Sequence, residues 1–110
     1  MMSLLFLCAA AVAIDGDTLR CANIHDANGR VRLARIDAPE LRQEGGEEAR
    51  AMLAAMLSGP VRCEHVDADP RTEVFEARDR FGRIVARCFV GQRDIGEAML
   101  EAGLAKRWPR

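Results

Sequence analysis

GRVRLARIDAPE, residues 29–40, is the stretch that decides the fold. Apolar and arginine side chains alternate through residues 31–36, and this two-residue period is typical of a strand with one buried face. Asn28 and Gly29, directly before that strand, are a residue pair that favours a tight hairpin turn. Pro39 restricts the backbone soon after it. The stretch therefore predicts one arm of a hairpin that ends in a rigid acidic turn.

The chain before this stretch continues the β pattern. Residues 10–14 and 18–23 predict two further strands, and the Asp-Gly-Asp sequence at residues 15–17 predicts the turn between them. Together with residues 31–36, they form a predicted three-stranded meander.

The periodicity changes after the acidic turn. Between residues 47 and 57 apolar side chains recur every three or four residues, which predicts a helix that the following Ser-Gly-Pro sequence ends. Residues 61–66 and 83–90 return to a strand pattern. The polar residues 67–82 between them predict a long loop or ribbon.

A second helix completes the pattern. Asp94 is its predicted N-cap, Glu97 is at the capping-box position, and Gly103 is at its predicted end. The resulting order is three strands, a helix, two strands and a helix. This order is typical of the α+β class, as a five-stranded OB-fold β-barrel with two helices. Composition alone does not distinguish it from another α+β fold.

The composition describes one small domain of 110 residues. Its 49% apolar content excludes a disordered chain, although only five aromatic residues leave the core light. The net charge of −1 excludes a positive field over the whole surface, so any bound phosphate must be held locally. All but one of the basic residues are arginines, whose planar fork suits phosphate.

The four cysteines do not form a metal-binding motif, because none of them is part of a CxxC pair. An even number permits two disulfides, and Cys63 and Cys88 are on predicted strands that could face each other. Buried thiols explain the same pattern. The sequence leaves the state of Cys8, Cys21, Cys63 and Cys88 open.

The N-terminus is apolar. Residues 1–9 resemble the remnant of an export signal and are too short to span a membrane, which favours a secreted or periplasmic protein over a cytoplasmic one. Residues 10–106 are the predicted domain, and residues 107–110 are a C-terminal tail.

Four acidic residues lie at the ends of predicted strands, namely Asp15, Asp17, Asp37 and Glu40. Arg32 precedes Asp37 by five residues, and Arg83 opens the last predicted strand within DRFGR. Carboxylates hold Ca²⁺ or Mg²⁺, and guanidinium groups stabilise charge on phosphoryl oxygens. Local turn formation is the favoured explanation of the acidic residues taken alone, and the two arginines shift the balance towards phosphoryl transfer. The residues alone leave both interpretations open.

Five sequence blocks carry a resemblance to a known family, namely AIDGDTLRC, GRVRLARIDAPE, GEEARAML, DRFGR and GLAK. The chain resembles the staphylococcal nuclease family over residues 10–106, and the blocks occur in the family's order. The resemblance implies one Ca²⁺ ion. Its ligands would be the side chains of Asp17 and Asp37 and the backbone carbonyl of Ala38.

The resemblance also implies hydrolysis of phosphodiesters in DNA and RNA, with attack of water on phosphorus and departure of the 5′ oxygen. Glu40 would be the general base, and Arg32 and Arg83 would grip the scissile phosphate. Arg80 and Phe81 would bind substrate, although the family often has Lys and Tyr there. Phe can stack on a base but lacks the hydroxyl.

Two further departures concern length. The loop of residues 41–48 is shorter than in the best-known members, which predicts lower mobility near Glu40. Larger members also continue into a third helix, so the C-terminus resembles either a compact member or a truncated one.

The expected substrate is single-stranded or locally melted DNA or RNA, and the expected state is a monomer without a membrane partner. The alternative is a non-catalytic OB-fold module that binds nucleic acid or a protein. The sequence does not distinguish DNA from RNA, or internal cleavage from cleavage at an end.

Overall fold

The computed structural model describes residues 4–110, which contain short strands, two α-helices and one 3₁₀ turn. In chain order the strands are β1 Leu5–Cys8, β2 Val12–Asp15, β3 Thr18–Arg20, β4 Arg30–Leu33, β5 Ile36–Asp37, β6 Val61–His65, β7 Ile84–Val90, β8 Arg93–Asp94 and β9 Lys106–Arg107. The helices are α1 Gly46–Met56 and α2 Ile95–Glu101, and the 3₁₀ turn is Asp26–Gly29.

The main sheet has the strand order β1-β6-β7-β4-β3-β2, with β8 paired to β7. The β3 and β4 strands are antiparallel, as predicted, while β4 and β7 are parallel. The predicted strand at residues 18–23 ends at Arg20, and residues 21–29 connect it to β4 through the 3₁₀ turn in place of the tight turn expected at Asn28 and Gly29. A second sheet joins β5 to β9, where Ile36 faces Arg107. Mixed strands with two helices confirm the predicted α+β class and its OB-like architecture.

Helix α1 packs across β2 and covers the core. Ala49 and Leu53 on its inner face are fully buried, as the apolar stripe predicted. Gly16, in the turn after β2, lies against this helix: a Cβ built there would be 2.5 Å from the Ala49 Cβ and 2.8 Å from the Ala38 Cβ. Only glycine therefore allows the turn to approach both segments.

Two disulfides cross-link the chain. The sequence left the state of the four cysteines open, and in the structure all four are bonded. Cys8 is bonded to Cys21, and Cys63 is bonded to Cys88. Cys63 and Cys88 face each other in the register of β6 and β7. Each bond closes a loop of moderate length, which stabilises the fold by about 3 kcal/mol in the chain-entropy model.

The strands differ from the prediction in two further places. We expected no strand before residue 10, but β1 lies there. It forms because its residues pair with β6, far along the chain. The predicted strand at residues 31–36 is interrupted at Ala34 and Arg35, and Arg35 adopts a left-handed backbone with φ 65°. The interruption lets Ile36 and Asp37 leave the main sheet and pair with β9.

Helix α2 begins as predicted, since the Asp94 side chain accepts a hydrogen bond from the Glu97 N–H at 3.1 Å. The reciprocal bond of a capping box is replaced by an ion pair between Glu97 and Arg107 at 3.2 Å. Gly103 has φ 74° just after the helix, as expected of a stop. Within residues 4–110, no helix has the length and apolarity needed to cross a bilayer.

Candidate active site

One cleft of about 840 Å³ is lined by every residue that the sequence singled out for chemistry. These residues are Asp17, Arg32, Asp37, Ala38, Glu40, Arg80, Phe81 and Arg83. They come from the turn after β2, from β4 and the segment that follows it, and from the loop before β7. The fold therefore brings three distant stretches of sequence to a common surface.

Asp17 is the buried acid of the cleft, 6% exposed. Its Oδ2 accepts a hydrogen bond from the Ala38 N–H at 2.8 Å, and its Oδ1 accepts one from the Thr18 hydroxyl at 3.1 Å. Its own N–H donates to Asp15 Oδ1 at 3.1 Å. Asp17 thus fixes the segment that carries Asp37 and Glu40 relative to the turn after β2.

The charge of Asp17 is only partly compensated. Burial, opposed by Arg32 and assisted by the neighbouring Asp15, raises the pKa of Asp17 to about 6. An additional cation beside this carboxylate would favour its ionised form.

Arg32 connects the two acids that the resemblance assigns to the metal. Its Nη1 is 3.3 Å from Asp17 Oδ2, and its Nη2 is 3.6 Å from Asp37 Oδ1. Nη1 also donates to the carbonyls of Leu33 and Ile36, at 3.0 and 2.8 Å. A single planar group thus touches both carboxylates, which shows that Asp17 and Asp37 converge.

The donor chemistry of this pair fits a hard divalent cation. Asp17 offers a buried carboxylate and Asp37 a half-exposed one, and oxygen is the ligand atom that Ca²⁺ takes. Within the described part of the chain, no group of three or more His, Cys, Asp or Glu side chains is arranged to hold a metal. Any ion here would need a backbone carbonyl and water in addition to the two acids.

Glu40 is positioned through its backbone. Its N–H donates to Gln43 Oε1 at 2.7 Å, and its carbonyl accepts from the Gln43 N–H at 2.8 Å. A Cβ built at Gly46, the first residue of α1, would lie 2.0 Å from that carbonyl oxygen. Gly46 therefore lets the start of the helix pack directly on Glu40.

Arg83 is held by Asp79, a residue that sequence reasoning missed. Arg83 Nε is 2.7 Å from Asp79 Oδ2, and Asp79 Oδ1 accepts from the N–H groups of Phe81 and Arg83, at 2.9 and 3.0 Å. Among the described hydrogen bonds, none uses the terminal nitrogens of Arg83. The spacing of four residues in DRFGR was the available signal for this anchor.

Phe81 projects an exposed ring at the edge of the cleft, with 64% of its surface accessible. The guanidinium carbons of Arg80 and Arg83 lie 4.8 and 5.2 Å from the ring centroid. An aromatic face flanked by two cations can stack on a base while binding its phosphate.

The cleft also contains residues with no predicted role. Arg35, Asp69, Arg71 and Trp108 line it. No sequence signal identified them, because Trp108 reaches the cleft only through the pairing of β5 with β9.

Comparison with known proteins gives a consistent result. A family model described as "Staphylococcal nuclease homologue" matches residues 30–109. The succinoglycan biosynthesis protein ExoI of Rhizobium meliloti is 36% identical over 86% of this chain and 49% of its own length. An uncharacterized endonuclease of Escherichia coli is 30% identical over 84% of this chain and 54% of its own length.

A plant protein extends the range of similarity. The staphylococcal-like nuclease CAN1 of Arabidopsis thaliana is 34% identical over 69% of this chain and 21% of its own length. The chain spans about half the length of the first curated relatives that it matches.

Proposed function

The chain belongs to the family of staphylococcal nuclease homologues, and from this premise we propose that it is a Ca²⁺-dependent nuclease that hydrolyses phosphodiester bonds of DNA and RNA. The observation that carries the proposal is the single cleft to which Asp17, Arg32, Asp37, Glu40 and Arg83 all contribute. Clustered acids and guanidinium groups are the groups that phosphoryl transfer requires.

Asp17 and Asp37, with the carbonyl of Ala38, are the residues that would hold Ca²⁺. When bound, this ion supplies positive charge that offsets the repulsion between carboxylates and phosphate. Arg32 keeps the two carboxylates together. Its location between them makes it a positioning group for the acids as well as a phosphate ligand.

Glu40 is the proposed general base. It takes a proton from water, whose oxygen forms a bond to phosphorus while the bond to the 5′ oxygen breaks. The leaving oxygen takes a proton from solvent, so the products are a 3′ phosphate and a 5′ hydroxyl. Arg83, oriented by Asp79, stabilises charge on the non-bridging oxygens of the phosphoryl group.

Phe81 and Arg80 are proposed to bind the nucleotide next to the scissile bond. A base can reach the Phe81 ring only when it is unstacked, so the proposed substrate is single-stranded or locally melted DNA or RNA. We keep the expectation that the chain acts as a monomer.

We also propose that the protein works in an oxidising compartment, secreted or periplasmic. The two disulfides support this, because such bonds persist mainly outside the cytosol. Maleimide labelling of the protein from its native cells should add no mass without a reductant. Labelling of all four cysteines would favour the cytoplasm.

The test of the catalytic proposal is incubation of the purified protein with a single-stranded oligonucleotide, in Ca²⁺ or in a chelator. We expect fragments with 3′ phosphate ends in Ca²⁺, none in the chelator, and a large loss of rate in Glu40→Gln. Arg93→Ala removes an exposed charge outside the cleft and serves as the control, with the wild-type rate. Binding without cleavage under all conditions would favour the non-catalytic module instead.

A further inference from the structure

Part of the cleft is lined by residues that the proposed hydrolysis does not use. We call it the Trp108 arm, and it consists of Arg35, Asp69, Arg71 and Trp108. The proposed phosphate grip needs none of these side chains.

Arg35 has a guanidinium nitrogen without an acceptor in this arm. Its Nη1 is buried and has no hydrogen-bond partner, and among residues 4–110 no carboxylate lies within 4 Å of its guanidinium. By contrast, Arg32, Arg71 and Arg83 in the same cleft each have one. A buried charged donor without an acceptor is costly, so an anion in the cleft would complete the arrangement.

The backbone of Arg35 has a conformation in which an arginine is unusual. Its φ of 65° is in the left-handed region, which favours glycine. Its carbonyl accepts a hydrogen bond from the Trp108 N–H at 2.9 Å, a contact that glycine would retain. The fold therefore needs the backbone geometry at this position, but it does not need the guanidinium.

Trp108 and Arg71 form a stacked pair beside Arg35. The Arg71 guanidinium carbon lies 5.1 Å from the Trp108 ring, and the Arg71 side chain is 62% exposed. Asp69 accepts from Arg71 Nε and Nη2, both at 2.9 Å, and the bond holds the pKa of Asp69 well below its usual range. Asp69 binds Arg71 directly and also interacts with Arg35 at longer range, so the two guanidinium groups and one carboxylate leave the arm with a net positive charge.

We infer that the Trp108 arm is a second nucleotide subsite, in which Arg35 binds a phosphate of the nucleic-acid chain and a base stacks on the Arg71–Trp108 pair. Guanidinium planes and indole rings both stack on unpaired bases. The inference rests on the proposed function and specifies its substrate: an oligonucleotide that occupies the Trp108 arm as well as the Phe81 site, in preference to a mononucleotide.

Trp108 is the only tryptophan in the chain, so its fluorescence reports on the arm directly. The experiment titrates the Glu40→Gln protein, in Ca²⁺, with a single-stranded deoxythymidine octamer and with thymidine 3′,5′-bisphosphate. Dye anisotropy of a labelled octamer measures binding independently. We expect the octamer to quench Trp108, and the bisphosphate to bind without changing its fluorescence.

Arg35→Gly tests the phosphate contact without straining the backbone. We expect octamer affinity to fall about tenfold, as for the loss of one good contact. The slope of log affinity against log salt should fall in magnitude by about 0.7, the value for one phosphate on a single strand. Arg93→Ala, which removes the same charge outside the cleft, should leave the slope unchanged.

The outcomes separate the subsite from the proposed hydrolysis. An octamer that binds equally well to Arg35→Gly, with the same salt slope and no change in Trp108 fluorescence, overturns the subsite while cleavage by the wild type still supports the nuclease. Quenching and slope changes without cleavage would support the subsite and overturn hydrolysis. A wild-type protein that neither binds nor cleaves the octamer overturns both.

Discussion

Asp79 should control activity through Arg83, and Asp79→Asn tests this with little disturbance of the fold. The amide oxygen of Asn can still accept from the N–H groups of Phe81 and Arg83, but the charged bond to Arg83 Nε is lost. Since both side chains of that ion pair are about one-fifth exposed, the loss should cost about 1 kcal/mol of unfolding free energy. Asp79→Ala removes all three bonds and should cost about 3 kcal/mol.

The effect of Asp79→Asn on activity should exceed its effect on folding. A released Arg83 regains rotamer freedom worth up to about 2 kcal/mol, which it must lose again when it grips the phosphate. We therefore expect kcat/KM on single-stranded DNA to fall about tenfold. Urea unfolding measures the stability, and initial rates measure kcat/KM at temperatures where every variant is folded.

The control is Glu101→Gln, which removes an exposed acid at the end of α2, outside the cleft. Its unfolding free energy should change by less than about 0.5 kcal/mol, and its kcat/KM should match the wild type. An Asp79→Asn protein with wild-type kcat/KM would refute the view that Asp79 orients Arg83.

Three further predictions concern stability. Gly16→Ala should lower the unfolding free energy in urea by about 2 kcal/mol, because the new methyl group overlaps Ala49; an unchanged midpoint would contradict this packing. Replacing both Cys63 and Cys88 with Ala should cost about 3 kcal/mol, whereas a melting temperature insensitive to the change would show that the bond contributes nothing. In chelator, the raised pKa of Asp17 means that the folded state binds its proton more tightly than the unfolded state. The contribution of Asp17 to the free energy of unfolding should therefore increase by up to about 3 kcal/mol as pH falls from 7 towards 4. Asp17→Asn should abolish this part of the dependence of the unfolding free energy on pH.

The local patterns in the sequence predicted much of the fold because they depend on neighbouring residues. The alternation after Asn28 and Gly29, the apolar stripe of α1 and the cap at Asp94 are all present in the structure. Strand β1 and the pairing of β5 with β9 were not predicted, since both depend on partners more than 50 residues away. No window of local sequence contains that information.

The candidate site also combines residues that the sequence identified with residues that only the folded chain reveals. Asp17, Arg32 and Asp37 were identified from their residue types and spacing, and the structure brings them into contact. Arg35 is one more polar residue of the alternating pattern in the sequence, and only its backbone geometry and its buried nitrogen without an acceptor distinguish it. Its setting is a property of the folded chain.

The most direct measurement of the central claim is the rate at which Arg83→Lys cleaves single-stranded DNA in Ca²⁺. Lysine keeps the charge but not the planar fork, so kcat/KM should fall at least about a hundredfold, as when one preorganised transition-state donor is lost. The urea midpoint should stay close to that of the wild type. A near-wild-type rate in this variant would contradict the assignment of the cleft as a phosphodiester-hydrolysing site.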